Sequence, residues 1–256
     1  MMLRLSSALL LSLFTQHALA IVSMEDIHLA SPKEGLGGKL AFTLNSLSGN
    51  SEKQEYEVGG DLHWKNRKQS VYLLLDYAYG ESGSPPVAYT DKAFMHLRDI
   101  YQATPRLAWE AYVQGEQDQF ARLTLRELYG AGARFTFRPG TNTLIHLGTG
   151  VFSVGENLFD TAGTSDGGYT SVLRANLYLV VKYTLNDRIK MINSTYLQPD
   201  LSNTEDWRLL ERLSLQVELS QTLALKLSLG YRHDNQPPQT ILPIDSSFTS
   251  SLEYRF

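Results

Sequence analysis

The chain closes on a regular alternation of apolar and polar side chains that stops on a phenylalanine. Leu252, Tyr254 and Phe256 fall on one face of this segment, and Glu253 and Arg255 fall on the other. A period of two is typical of a β-strand between two unlike environments. Free termini usually fray, whereas the closing strand of an outer-membrane β-barrel has to pair with the first strand and leave no edge. We interpret Leu252, Tyr254 and Phe256 as an assembly signal read by the barrel-assembly machinery; the alternative is an ordinary edge strand.

The same alternation recurs along the whole chain and favours the barrel. The clearest example places Leu225, Leu227 and Leu229 opposite Lys226 and Ser228. We count twelve such runs, which begin near Gly38, Gln54, Ser70, Lys92, Arg106, Phe120, Thr143, Tyr169, Arg188, Trp207, Leu223 and Phe248. Charges at alternate positions would disrupt the core of a soluble β-sandwich, but they suit a barrel with a polar lumen and an apolar outside. The sequence therefore predicts an all-β protein, a twelve-stranded transmembrane antiparallel barrel.

The connections between these runs alternate in length. Short turns at 66–68, 103–105, 138–140, 186–187 and 220–222 alternate with longer Gly-, Pro-, Ser- and Asp-rich segments at 81–89, 156–168, 199–205 and 234–245. Outer-membrane barrels have short periplasmic turns and longer extracellular loops. An even number of strands then places both termini in the periplasm, and the surrounding partners are outer-membrane lipid and lipopolysaccharide.

The first residues have the composition of a secretory signal peptide. Arg4 gives a positive start, an apolar run follows at 9–14, and Ala18 and Ala20 form a small-x-small cleavage site. We predict a cleaved signal peptide at 1–20, a short periplasmic segment at 21–34 and the barrel at 35–256. This organisation predicts the outer membrane of a Gram-negative bacterium.

Composition and motifs exclude several classes of function. The chain has no cysteine, which removes thiol catalysis and cysteine-based metal sites, and its net charge of −4 does not favour nucleic acid. We found no catalytic motif, no metal-ligand spacing, no cofactor site and no known protein partner. His233-Asp234 superficially resembles part of an outer-membrane protease site, but adjacent strand residues point to opposite faces. We therefore predict no enzyme activity.

The polar faces of the runs together predict a charged lumen. The predicted lumen-lining residues are Glu57, Asp61, Asp76, His96, Arg98, Glu110, Arg122, Arg126, Arg134, Arg174, Lys182, Arg212, Lys226 and Arg232. Among them, we predict that Arg122, Arg126 and Arg134 lie on one strand and pair with carboxylates such as Glu110. Two carboxylates, Glu127 and Glu211, fall instead on the predicted lipid face, which requires a bulge or a position near the rim. The facing of 143–154 and 188–198 is left open.

Several stretches resemble one known family. They are Ser48 to Ser51, the acidic hairpin Glu116 to Arg126 followed by Gly130-Ala131-Gly132, Gln198 to Asp200, and the closing segment Asp245 to Phe256. Together they resemble the family of salt-induced outer-membrane proteins typified by YdiY, although Gln117 stands where that family's pattern has arginine. The resemblance implies an outer-membrane barrel and no known activity.

These patterns leave three functions open. The leading prediction is an outer-membrane barrel with a polar, charge-lined lumen and a structural role, because charges that pair across a lumen fill it; the family resemblance implies a stress- or salt-related role. The alternatives are a narrow small-solute channel with anion preference, because arginines are numerous, and a surface protein that binds through its loops.

Overall fold

The structure, a computed structural model, describes residues 34–47 and 53–256. Alternating apolar and polar residues form twelve strands, each with one inward and one outward face. The strands are β1 Gly35–Leu47, β2 Lys53–Lys65, β3 Gln69–Ser82, β4 Val87–Gln102, β5 Leu107–Asp118, β6 Leu123–Phe137, β7 Thr143–Leu158, β8 Gly168–Thr184, β9 Ile189–Pro199, β10 Trp207–Glu218, β11 Leu223–Asp234 and β12 Ile244–Arg255. A short 3-10 helix, Gln119–Ala121, separates β5 from β6.

Each strand pairs antiparallel with its neighbours in sequence, and β1 pairs with β12 to close the barrel. The predicted twelve-stranded antiparallel barrel is therefore confirmed. Four strand starts differ from the prediction by three residues or more: β1 begins at Gly35, β4 at Val87 and β12 at Ile244, all earlier than predicted, and β6 begins later, at Leu123. Closure satisfies the backbone groups of a sheet in lipid, because no water is available there to pair with an open edge.

Short turns at one end of the barrel are fixed by one recurring side-chain hydrogen bond. The Oδ1 atoms of Asn66 and Asn186 each accept from backbone N–H groups two and three residues later. The hydroxyls of Thr104 and Ser220 do the same. Such residues mimic a backbone turn and reverse the chain tightly. We call this end the turn rim; β1 starts and β12 ends there, on the side that faces the periplasm in outer-membrane barrels.

The opposite end, which we call the loop rim, carries the longer connections at 159–167, 200–206 and 235–243. The 3-10 helix at this rim begins at Asp118, whose Oδ1 accepts hydrogen bonds from the N–H groups of Phe120 and Ala121 at 3.0 and 3.1 Å. The β5–β6 connection therefore lies at 119–122, and Glu116, which begins the acidic hairpin of the family resemblance, is a buried strand residue.

Large apolar side chains cover the outside of the barrel. Aromatic side chains lie outward toward both rims, for example Trp64 and Trp109 near the turn rim, and Tyr77 and Tyr129 near the loop rim. Amphipathic rings at both membrane interfaces are typical of membrane proteins. The arrangement places an apolar band between two aromatic girdles.

Glu127 and Glu211 lie outward at the level of the loop-rim girdle. Glu127 accepts a hydrogen bond from the Tyr129 hydroxyl at 3.0 Å. Glu211 is opposite Tyr231 in the β10–β11 register and accepts from Asn193. Their outward facing is as predicted. Both lie in the loop-rim half of their strands and accept hydrogen bonds from neighbouring side chains, and a charge costs less toward the interface than at the midplane.

Among the described residues, no helix is long and apolar enough to cross a membrane. The predicted signal peptide at 1–20, with its cleavage residues Ala18 and Ala20, lies outside the described residues, as does all but the last residue of the segment 21–34. Both stay predictions.

Candidate functional site

The structure places the predicted lumen residues on the inner side of the barrel. The buried ones are Asp61, His96, Arg98, Glu110, Arg122, Arg126, Arg134, Arg174, Lys182, Lys226 and Arg232, and the half-buried ones are Glu57, Asp76 and Arg212. A functional role for these residues stays a prediction. Their contacts fall into three groups, at mid-barrel, at the loop rim and at the turn rim.

Glu110 organises the middle of the barrel. Its carboxylate contacts the guanidinium of Arg134 and lies 3.4 Å from Arg98 Nη1. The Tyr178 hydroxyl, from β8, donates to Glu110 Oε2 at 2.7 Å and accepts from Arg134 Nε at 3.1 Å. The Arg98 guanidinium also lies over the Tyr112 ring, 4.7 Å from its centroid. Strands β4, β5, β6 and β8 are thus connected through one buried carboxylate.

A second network lies toward the loop rim. Arg126 donates to Glu116 and to Glu156, both at 2.8 Å. Arg208 reaches the same Glu156 carboxylate from β10 at 2.6 Å and also pairs with Asp234 at 2.8 Å. Arg126 therefore pairs with Glu116 and Glu156 and not with Glu110, whereas Arg134 does pair with Glu110 as predicted. Arg208, Glu116, Glu156 and Asp234 were missed, although each falls at an inward position of the alternation.

Arg122 corrects the prediction that it lies on one strand with Arg126 and Arg134. It follows the 3-10 helix in a left-handed conformation with a φ of 60°, which non-glycine residues rarely adopt. Its guanidinium donates to Asp166 at 2.6 Å and to the carbonyl oxygens of Phe159 and Gln239 at 3.0 and 2.8 Å. Gln239 N in turn donates to Asp166. Arg122 is thus a loop-rim residue that connects loops 159–167 and 235–243.

We expect Arg122→Ala to mobilise loop 159–167. A spin label at Ser165→Cys, in a chain without cysteine, measures its mobility, and Arg106→Ala at the exposed turn rim is the matched control. The hydrogen bond from Arg122 lowers the pKa of Asp166 below its ordinary 3.8. The ionised Asp166 carboxylate therefore stabilises the loop fully above pH 3.8. This stabilisation is lost as the pH falls through the lowered pKa and the carboxylate becomes protonated. Unchanged label mobility in Arg122→Ala, or mobilisation beginning near neutral pH, would contradict this prediction.

A third network lies toward the turn rim, around Glu253, on the neighbouring strands β10, β11, β12, β1 and β2. Lys39 Nζ lies 3.3 Å from Glu253 and 3.6 Å from Asp61. Gln216 Nε2 donates to Glu253 at 2.8 Å, and Lys226 Nζ lies 3.9 Å away. The sequence alternation placed Glu253 inward but gave no sign of this role, since the register of β1 against β12 brings Lys39 to it.

Apolar side chains fill the space between the charged groups. Leu74 and Phe94 on one wall belong to the same buried cluster as Val180, Ile192 and Leu210 on the opposite wall. The undetermined segments 143–154 and 188–198 contribute inward residues such as Phe152 and Ile192. The interior is therefore partly apolar, which the predicted polar lumen did not include, and one apolar cluster extends from β3–β5 to β8–β10.

The residues that resembled a protease pair lie on opposite faces. Asp234 points inward to Arg208, and His233 points outward with its ring 4.8 Å from that of Trp207. Within the described residues, no group of three or more His, Cys, Asp or Glu side chains is arranged to hold a metal ion.

Several solved outer-membrane structures have a similar fold. The outer membrane channel COG4313 from Pseudomonas putida F1 is 11% identical, with 89% of this chain and 97% of that chain covered and a TM-score of 0.53. The translocator domain of autotransporter NalP from Neisseria meningitidis is 13% identical, with 90% and 92% covered and a TM-score of 0.52. The KdgM porin in complex with disordered oligogalacturonate is 7% identical, with 86% and 99% covered and a TM-score of 0.50. At these identities the likeness shows the fold alone.

No curated protein sequence matches this chain. The barrel fold matches outer-membrane proteins of Gram-negative bacteria, which confirms the predicted location, and these neighbours are channels, porins and translocator domains, not enzymes. The family described as "Protein of unknown function, DUF481" matches residues 40–256, which confirms the resemblance drawn from the sequence. The chain belongs to the DUF481 family of outer-membrane β-barrel proteins.

Proposed function

We propose that this protein is a filled outer-membrane barrel that supports the cell envelope, including under salt stress, without serving as an open pore. The observation that carries this proposal is one apolar cluster that spans the barrel. It joins buried side chains of β3 and β4, such as Leu74 and Phe94, to those of β8 to β10, such as Val180 and Leu210, and its member Tyr178 donates to Glu110. A steady ion path needs a continuous water-filled lumen, and an apolar cluster that spans the barrel opposes one.

The charges also support a stabilising role. The inward arginines Arg98, Arg126, Arg134, Arg174 and Arg208 each contact a carboxylate. Paired guanidinium groups offer a passing anion much less attraction than free ones. The role in salt stress rests on the family resemblance, and growth of a deletion strain on high-salt medium tests it.

We expect the purified, folded barrel to give no single-channel steps in planar lipid bilayers at any voltage or salt concentration. Folding is verified on the same sample by heat modifiability, the change in gel migration on boiling. Steady steps whose anion preference falls in Arg126→Ser and Arg174→Ser would overturn the filled barrel in favour of a narrow anion-preferring channel.

The channel alternative has one supporting observation: most inner positions of β12, β1 and β2 are only half-buried. The similar KdgM porin is solved with oligogalacturonate, but in this barrel the Glu253 network places a buried carboxylate on that same wall toward the turn rim, which would repel a polyanion. The third alternative, a loop-mediated binding protein, is less favoured because Arg122 ties two of the longer loops to each other.

A further inference from the structure

The seam between β1 and β12 is paired over only part of its length. Register pairs run from Lys39–Arg255 to Phe42–Leu252, and Gly38 and Phe256 exchange two further backbone hydrogen bonds. β1 continues to Leu47, and β12 begins at Ile244. Residues 43–47 pair with β2 and residues 244–251 pair with β11, but these two segments do not pair with each other. The wall therefore has an opening in the half of the seam that faces the loop rim.

An opening of this kind needs a polar occupant. Unpaired backbone N–H and C=O groups in hydrocarbon cost several kcal/mol each. The outside of the opening is apolar, since Leu44 and Phe248 are 54% and 67% exposed. It is interrupted by the outward hydroxyls of Ser246 and Ser250. The opening thus joins the apolar exterior to a polar edge.

The inner wall beside the opening has a cationic group without a partner. Arg212 is half-buried and forms no ion pair or hydrogen bond with any described residue. This distinguishes it from the other inward arginines, whose guanidinium groups contact carboxylates or, for Arg232, have further contacts.

The Arg212 guanidinium lies beside Gly230, its register partner on β11, and the missing side chain of Gly230 leaves room for Ser247. A Cβ atom at position 230 would lie 2.6 Å from Ser247 Oγ and 3.7 Å from Arg212 Nη2. Arg212 therefore extends across β11 toward the inner face of β12, at the unpaired part of the seam. Thr43 and Thr249 also lie on this inner wall. We call Thr43, Arg212, Gly230, Ser247 and Thr249 the seam pocket.

We propose that the seam pocket binds an anionic amphiphile from the outer leaflet, with its charged head on Arg212 and its tail leaving through the seam opening into the bilayer. A guanidinium forms strong, charge-assisted hydrogen bonds with phosphate or carboxylate oxygens. The hydroxyls and the unpaired strand edges supply further polar groups for the head region. The exposed Leu44 and Phe248 give the tail an apolar exit. The proposal concerns the open side of the barrel and does not depend on whether the protein conducts ions.

The test uses Ser247→Cys, which introduces the chain's one thiol, in dodecyl maltoside micelles. We expect dodecyl phosphate to protect this thiol from a water-soluble maleimide, and inorganic phosphate at the same concentration to protect it weakly. Adding Arg212→Gln should raise the half-protecting concentration of dodecyl phosphate about tenfold, the loss of one charged hydrogen bond. Arg188→Gln, at an exposed turn-rim arginine, is the matched control and should leave protection unchanged.

Three results would overturn the proposal. They are equal protection by inorganic phosphate, which indicates a free-anion site; no protection at all; and equal protection in Arg212→Gln. Native mass spectrometry of the cysteine-free protein with dodecyl phosphate gives a second readout if Ser247→Cys does not fold. There, an adduct lost in Arg212→Gln supports the proposal, and an adduct that persists opposes it.

The opening itself has a separate test. If the seam register simply continued, Leu44 would face Ser250. A disulfide needs Cα atoms within about 7 Å. We expect Leu44→Cys with Ser250→Cys to remain reduced under mild oxidation in membranes. Quantitative cross-linking would mean that the seam is paired, or covered by strand addition. It would contradict the proposed exit of the tail through the seam.

Discussion

Glu110→Gln is expected to destabilise the barrel by about 3–5 kcal/mol, because it leaves two buried guanidinium groups without their carboxylate. Arg98 and Arg134 both contact Glu110, and all three side chains are at most 8% exposed. Glutamine keeps the shape of the side chain and an oxygen that accepts from Tyr178. The loss of stability therefore measures the effect of removing the charge. For a domain of this size the melting temperature should fall by roughly 10 °C, measured as the temperature at which heat modifiability is lost.

The control for Glu110→Gln is Glu127→Gln, which removes an outward carboxylate at the girdle level. Its effect should stay within about 0.5 kcal/mol, as for ordinary surface substitutions. Adding Arg134→Met to Glu110→Gln should cost less than the sum of the two single changes, because the contacting pair is coupled. A Glu110→Gln barrel as stable as the parent would show that water hydrates these arginines, and the filled interior would be wrong.

Deletion of Phe256 is expected to lower the outer-membrane level of the protein several-fold and to increase its periplasmic degradation. The sequence predicts Leu252, Tyr254 and Phe256 as an assembly signal, and the structure places all three outward. The structure also shows a second way in which Phe256 contributes, through its contacts with β1. Phe256 N donates to Gly38 O at 3.2 Å, and its ring lies where a side chain on Gly38 would collide. Because the seam has few pairs, losing this end weakens closure, and modest losses of stability change abundance several-fold.

Phe256→Tyr, which keeps the ring and both backbone hydrogen bonds, should assemble normally. Phe248→Ala tests whether the effect depends on the terminal position of Phe256 or only on the loss of an outward aromatic ring, because it removes such a ring from the unpaired half of β12. Quantitative blotting of outer-membrane and periplasmic fractions measures all three variants. Normal levels after deletion of Phe256 would contradict both its recognition by the assembly machinery and its contribution to closure of the seam.

The sequence predicted the barrel because each strand separates lipid from the barrel interior, and its residues alternate between these two environments. Runs such as 223–231 show the inward and outward faces directly, and Asn66, Thr104, Asn186 and Ser220 mark turns by a local hydrogen bond. Strand starts were less accurate where a loop residue could extend the pairing, as at Val87 and Ile244. Periodicity is a local property, and it needs no knowledge of the partner strand.

The contacts inside the barrel depend on register and on distant strands, so alternation alone could not give them. It placed Arg126 and Glu110 inward but could not show that Arg126 pairs with Glu116 and Glu156. Leu74 and Phe94 share one buried cluster with Ile192 only because closure brings β3 and β4 across from β9. By itself, the sequence determined the fold class, the outward apolar face and the membrane location. Only the tertiary structure decided which charges neutralise each other, where the lumen is filled and where the seam stays open, because each of these is set by side chains far apart in the chain.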